Sequence, residues 1–393
     1  MARNHYWRIR DSPNGSYPVQ RGFDKYYGCL HGGGSYHKPS PVYNNLEKVT
    51  DLPDYYYTQA ITDSAVSYVQ AHDTRKPMFL YVAHYAPHLP LQAPEEYVKR
   101  CIDRYKVGYD VLRKQRFEKQ KRIGLIPDNM ELPVFNKEFG GKRPAWEELT
   151  PEQQNKWIKD MATYAAMIEI MDEGIGKLVE EIKKKGMYEN TVFLFLSDNG
   201  ATSEGGFIGQ LMSDLSKTPY RSYKKWVFQG GTSTPFILTY GDKKKNIKKG
   251  EICRQPAHII DIMPTCMALG KIEYPKTFSH SDLPGTSLLP FLKGQPIKPR
   301  TLYFEHQSSC AIIDANWKLV RADRNSQWEL INLTIDPFET NNLAEKYPEK
   351  VDELESKWIN WANTHKVFPL EDKAWTERIN FYQKKNPDQR GED

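Results

Sequence analysis

Apolar residues along the chain gather into a few unbroken runs set between long polar stretches. Residues 78–83 (MFLYVA), 191–196 (TVFLFL) and 235–240 (PFILTY) are such runs. Their length and continuity suit strands buried on both faces of a parallel sheet. Between the first two lies a helical period. Met167, Ile168, Met171, Ile175, Leu178, Val179 and Ile182 recur at helical spacing, predicting a helix over 151–185 that Gly186 stops. A charged helical stretch is predicted over about 95–124. Strand, helix, strand in this order predicts an α/β fold: a doubly wound, mostly parallel sheet flanked by helices. The runs ending at Ala83 and Leu196 should lie parallel in one sheet, with polar loops facing one crevice.

Beyond about residue 295 the pattern shortens. Four strands are predicted at 302–306, 311–314, 318–321 and 328–332, separated by tight polar turns, which gives a smaller antiparallel sheet. One helix over 348–363 follows, with Pro348 in its first turn and Val351, Leu354, Trp358 and Trp361 forming a stripe that packs on that sheet. Residues 1–60 are rich in Gly, Pro, Tyr and Asn and predict loop with short pieces of structure. The division is therefore an α/β domain over 1–290, carrying a helical insertion at about 95–150, and an antiparallel α+β subdomain with a tail over 291–393.

Composition narrows the function classes. Of 393 residues, 39% are hydrophobic and 27% charged, and the net charge is +5, as in a globular protein with a full core. The densest basic run, Lys243, Lys244 and Lys245, is short and suits a solvated loop, so no nucleic-acid partner is predicted. No apolar stretch approaches the ~20 residues of a transmembrane helix. The first ten residues are polar and basic, with no apolar segment of a signal peptide behind them. The five cysteines are widely spaced without a Cys-x-x-Cys pair, which argues against a zinc site or a disulfide framework. The 24 Tyr and 9 Trp suit either core packing or a sugar- or ring-binding cleft.

Three places carry candidate chemistry. Asp198 and Asn199 follow a buried strand at its C-terminal end, where open α/β sheets bind ligands. A carboxylate beside a carboxamide offers only oxygen, which suits Ca²⁺ or Mg²⁺; Asn-Gly is equally a turn dipeptide. His88 lies between Pro87 and Pro90, which stiffen its loop, and can act as an acid or as an oxyanion ligand; a structural histidine is the alternative. His84 is given no role. Lys224 precedes Gln229-Gly230-Gly231 and can hold an anionic group or stay solvated.

The order of these features resembles the formylglycine-dependent sulfatases of bacterial arylsulfatase type, in the alkaline-phosphatase-like superfamily. Arg21-Gly22-Phe23-Asp24 through Tyr27-Gly28, Ala86-Pro87-His88 with Leu91-Gln92-Ala93-Pro94, 164–176 (YAAMIEIMDEGIG) and 190–200 (NTVFLFLSDNG) carry the resemblance. So do Lys224 to Pro235, Asp261-Ile262-Met263-Pro264-Thr265, Trp317-Lys318-Leu319, Trp328-Glu329-Leu330, Asp336-Pro337 and Asn342-Leu343. Residues 105–146 resemble the helical insertion of bacterial arylsulfatases.

The resemblance implies hydrolysis of a small-molecule or carbohydrate sulfate ester. It implies that Asp198 and Asn199 bind a divalent cation, usually Ca²⁺, and that His88 and Lys224 contact the sulfate and bridging oxygen. Gln229 stands where the family has Glu. The family also has two adjacent metal-ligating Asp and a Cys-x-Pro-x-Arg motif, whose Cys becomes the formylglycine nucleophile. No Cys here has Pro two and Arg four residues on; Ser16-Tyr17-Pro18-Val19-Gln20 comes nearest and fails at Gln20. The chain thus reads as an N-terminally shortened sulfatase without its nucleophile, the rest expected upstream of Met1 together with an export signal. The alternatives are a non-catalytic sulfated-glycan-binding protein and a phosphate or phosphonate ester hydrolase of the same superfamily.

Overall fold

A computed structural model describes residues 15–30, 34–39, 41–51, 55–135, 143–241, 250–274 and 283–371. The expectations for the first ten residues and for Lys243, Lys244 and Lys245 lie outside the described residues. The described residues form two compact units, one from 15–108 and 150–188, the other from 109–149 and 189–371.

The first unit opens with a small antiparallel sheet of β1 (Tyr27–Cys29), β2 (Val42–Asn44) and β3 (Glu47–Val49), in which Gly28 pairs with Tyr43 and Tyr43 with Lys48. These are the short pieces anticipated for that region. Helix α1 (Tyr57–Ala71) follows; its Thr, Ser, Val and Tyr content gave no helical signal. After α2 (Glu95–Tyr105) comes α4 (Pro151–Lys184), with α3 (Tyr109–Arg122) in between belonging to the other unit. The start of α4 is fixed locally. Gln153 donates its amide to Thr150 Oγ1 at 3.3 Å, Thr150 donates its own to Gln153 Oε1 at 2.9 Å, and Pro151 sits in the first turn. Gly186, just past the end, takes φ +69°.

The buried face of α4 is not the expected stripe. Thr163, Ala166, Met167, Ile170 and Gly174 are buried, while Ile168, Met171, Ile175, Leu178 and Val179 are only partly so. Small residues decide this, because they let α1 and α2 approach. A Cβ on Gly174 would collide with the Thr62 side chain.

The run 78–83 departs further. It forms no strand, belongs to no sheet among the described residues, and leaves Phe79 63% and Tyr81 71% exposed. A strand buried on both faces needs a hydrogen-bonded neighbour and covering layers; no described segment pairs with this one.

The second unit runs α3 (Tyr109–Arg122), β4 (Val192–Leu196), α5 (Gly206–Ser216), the one-turn α6 (Gln229–Thr232), β5 (Phe236–Tyr240), α7 (Ile262–Gly270) and α8 (Leu289–Leu292). It continues through β6 (Leu302–His306), β7 (Ser309–Asp314), β8 (Trp317–Arg321) and β9 (Glu329–Asn332) to α9 (Pro348–Thr364). Strands β4 and β5 pair antiparallel, with Leu196 opposite Phe236. The cause is visible at that end. Thr234 Oγ1 donates to Ser197 O at 3.0 Å and Ser197 N to Pro235 O at 3.1 Å, so the chain re-enters the sheet where it left.

Strands β6 to β9 form a four-stranded antiparallel sheet in sequence order, as expected. One face, with Cys310, Ile312, Leu319 and Leu330, receives Leu354, Trp358 and Ala362 of α9. Trp358 is fully buried and donates Nε1–H to Phe304 O at 3.1 Å; truncating such a side chain costs about 3–5 kcal/mol. The other face, with Ala311, Val320 and Ile331, packs on Val227 and Phe228. This sheet therefore supports the segment that leads into α6. Among the described residues, no helix is long and apolar enough to cross a membrane.

Candidate active site

The first unit positions His88. The backbone N–H of His88 donates to Tyr85 O at 3.1 Å, and its carbonyl accepts from Tyr36 Oη at 2.9 Å. Gln92 ties the same loop to 35–36, because its Oε1 accepts from Tyr36 N at 2.8 Å and Ser35 Oγ at 3.1 Å. Tyr56 Oη donates to Gln92 O at 2.8 Å. The His88 ring lies parallel to Tyr85, centroids 5.8 Å apart, with Nδ1 2.8 Å from Leu89 O. A carbonyl only accepts, so Nδ1 carries the proton and proton exchange with a ligand falls to Nε2. His84, four residues earlier, is different: its Nδ1 is buried without a partner, and burial pushes the ring down to about 4.

The second unit positions the other three candidates. Asp198 and Asn199 leave the end of β4 and are exposed. Among the described residues, no hydrogen bond or ion pair engages the Asp198 carboxylate. Asn199 donates Nδ2–H to Gly200 O at 3.0 Å, so Oδ1 is the amide's acceptor atom. Ser197 Oγ closes the turn on Asn199 O at 2.8 Å. Lys224 is held to the same turn by its backbone, N–H to Ala201 O at 2.9 Å, and its ammonium pairs with Glu204 at 3.0 Å. The sequence reading missed Glu204; an acidic residue in a Gly-rich loop carries no signal of its partner.

Glycines let these pieces touch. Gly200 N donates to Gly231 O at 2.9 Å and Gly230 N to Arg221 O at 2.6 Å. A Cβ on Gly200 would collide with the Gly230 carbonyl, and one on Gly230 with the Arg221 and Ser222 carbonyls. Behind the turn, Tyr223 Oη donates to Asp214 at 2.7 Å, and burial pushes the Lys217 ammonium down to about 8. Asp261, of the Asp-x-x-Pro-Thr segment, is a structural hub. Fully buried, it accepts from His258 N at 2.8 Å and Thr286 N at 3.0 Å and pairs with both terminal nitrogens of Arg300.

Asp198, Asn199 and Lys224 thus share one turn, while His88 sits on its own braced loop in the other unit. A carboxylate and a carboxamide oxygen suit a hard cation, but they are two donors where Ca²⁺ takes six to eight. The described residues contain no cluster of three or more His, Cys, Asp or Glu able to hold a metal.

The second unit thus combines an α/β layer, whose strand β4 ends in an oxygen-rich turn beside Lys224, with an antiparallel sheet and one packed helix. The chain belongs to the sulfatase family, the enzymes of sulfuric ester hydrolysis: residues 4–272 match the Sulfatase family model. Residues 220–364 match the model described as N-sulphoglucosamine sulphohydrolase, C-terminal. An uncharacterized sulfatase of Schizosaccharomyces pombe is 28% identical over 96% of this chain and 76% of its own length. An arylsulfatase of Klebsiella aerogenes is 30% identical over 70% of this chain and 65% of its own. The chain therefore spans about two thirds to three quarters of these relatives. In fold it resembles Ps i-CgsB, solved in complex with k-i-k-neocarrahexaose, at a TM-score of 0.65 and 23% identity over 96% of this chain and 75% of that one. It also resembles BT4656, solved with its substrate D-glucosamine-2-N,6-O-disulfate, at 0.63 and 19% over 94% and 80%. These likenesses establish the alkaline-phosphatase-like α/β fold with its C-terminal sheet.

Proposed function

We propose that this chain carries the leaving-group and cation half of a sulfatase site, acting on sulfate esters of carbohydrates. The observation that carries this is the turn at the end of β4, which presents an unengaged Asp198 carboxylate and Asn199 Oδ1 and to which the backbone of Lys224 is hydrogen-bonded through Ala201 O. Asp198 and Asn199 would hold Ca²⁺, or Mg²⁺, with further oxygens from water or ligand. Such an ion, when bound, neutralises charge on the sulfate oxygens. Lys224 contributes a cation that exchanges Glu204 for a sulfate oxygen. By the family resemblance, His88, its Nδ1–H committed to Leu89 O, would supply the proton that a departing alcohol oxygen needs. The substrates named for BT4656 and for the N-sulphoglucosamine sulphohydrolase model favour a sulfated sugar.

Attack on sulfur needs a nucleophile, and none of the five cysteines lies in a Cys-x-Pro-x-Arg motif. This favours binding without turnover by these residues alone. Calorimetric titration with CaCl₂ and with a sulfated glucosamine tests the reading. Binding of both, abolished by Asp198→Ala and weakened by Lys224→Ala, is expected, with no release of sulfate. Absence of Ca²⁺ binding would remove the cation role. Sulfate release that disappears in His88→Ala would overturn the inactive reading.

A further inference from the structure

Lys318 of β8 and Glu339 are both fully buried at their side chains, with Nζ 2.7 Å from Oε1. Burying two charges is costly, and such a pair contributes little net stability on its own. Its surroundings show another use. Glu339 Oε2 accepts the backbone N–H of Gln229 at 2.7 Å, and Lys318 Nζ also reaches Gln229 Oε1 at 3.4 Å. The Glu339 carbonyl accepts from Arg221 at 3.4 Å. Glu339 itself takes φ +62°, a conformation disfavoured outside glycine. Gln229 is the first residue of α6, and the next two, Gly230 and Gly231, are the glycines against which Gly200 packs. A continuous chain of contacts therefore runs from β8 through Lys318, Glu339, Gln229 and Gly231 to Gly200, one residue beyond Asn199.

We propose that the Lys318–Glu339 pair is a positioning device that fixes the Asp198–Asn199 turn, and that the carboxylate answering Lys318 can sit at 229 or at 339. The proposal rests on the reading of that turn as the reactive end of the site. Lys318 reaches the side-chain oxygens of both residues, so one anion satisfies it from either side. None leaves a buried ammonium unpaired, and two bring like charges together. Glu339→Gln and Gln229→Glu should each lower the melting temperature by roughly 10 °C, the cost of breaking or overloading a buried pair. The double variant Gln229→Glu/Glu339→Gln should recover most of that loss.

Hydrogen exchange followed by mass spectrometry reads the positioning role directly. In Glu339→Gln, the Gly200 and Lys224 amides should lose protection by about tenfold, well below the melting transition, and regain it in the double variant. Amides of α9 should change less. A double variant no more stable than the worse single variant, or one that does not fold, overturns the interchangeable carboxylate. Unchanged Gly200 protection in a Glu339→Gln protein that melts lower overturns the positioning role and leaves the pair merely structural. Neither readout uses turnover or a bound cation, so both stand apart from the fate of the proposed sulfatase chemistry.

Discussion

Gly200 lies so close to Gly230 that a single methyl group between them would fall on the Gly230 carbonyl. The contact joins the end of β4 to the start of α6, and both residues lie beside candidate site groups. Gly200→Ala should therefore cost more than about 2 kcal/mol, because backbone rather than a flexible side chain must move. Gly176→Ala in α4 is the contrast: nothing lies within 4 Å of its added methyl. That change should stabilise by about 0.5–1 kcal/mol through helix propensity. Urea unfolding of the two variants checks the opposite signs.

The exposed run 78–83 gives a second expectation. With Tyr81 71% exposed, Tyr81→Ser should move the urea midpoint by no more than the equivalent of about 0.5 kcal/mol. A core strand position would lose about 3–5 kcal/mol. The variant should also scatter less light on concentration, since exposed aromatics promote association.

Acid sensitivity follows from His84. Its folded-state value is pushed from 6.5 down to about 4 by burial. The unfolded chain therefore binds the proton more readily, and stability falls as pH drops from about 6.5 toward 4. The full effect is on the order of 3 kcal/mol. Melting curves across that window should show a steep decline in the wild type and a shallower one in His84→Gln.

Arg221 and Glu329 make a two-pronged pair, 2.6 and 3.1 Å, both partly buried. The Arg221 guanidinium also lies 4.3 Å from the Phe228 ring centroid. A cycle of Arg221→Met, Glu329→Gln and the double variant should return a coupling of about 1–3 kcal/mol. Additive losses would show that the pair contributes geometry without energy.

Much of this was legible from residues alone. The start at Pro151 and the stop at Gly186 mark both ends of α4 to within a residue or two, because end signals are local chemistry. The C-terminal strands and α9 are equally local in their alternation and stripe. Asp198 and Asn199 were placed at the end of β4 by the apolar run before them. What escaped was decided at a distance. The buried face of α4 follows Ala166 and Gly174, whose value is the neighbour they admit. The failure of 78–83 to form a strand depends on a partner, not on its own residues. Lys318, between Trp317 and Leu319 in β8, gave no sign of Glu339, 21 positions on by residue number.

The aromatic residues divide unevenly between the units, with an optical consequence. Trp328, Trp358 and Trp361 cluster where α9 meets the sheet, with Trp328 and Trp358 centroids 6.0 Å apart and Trp358 and Trp361 6.1 Å. In the first unit, the described tryptophan is Trp157, fully buried and edge-on to Tyr105. Tryptophan emission will thus follow chiefly the detachment of α9. Loosening of the tyrosine-rich surroundings of His88 will pass almost unseen in that channel, so a single fluorescence transition will not mean that both units unfold together.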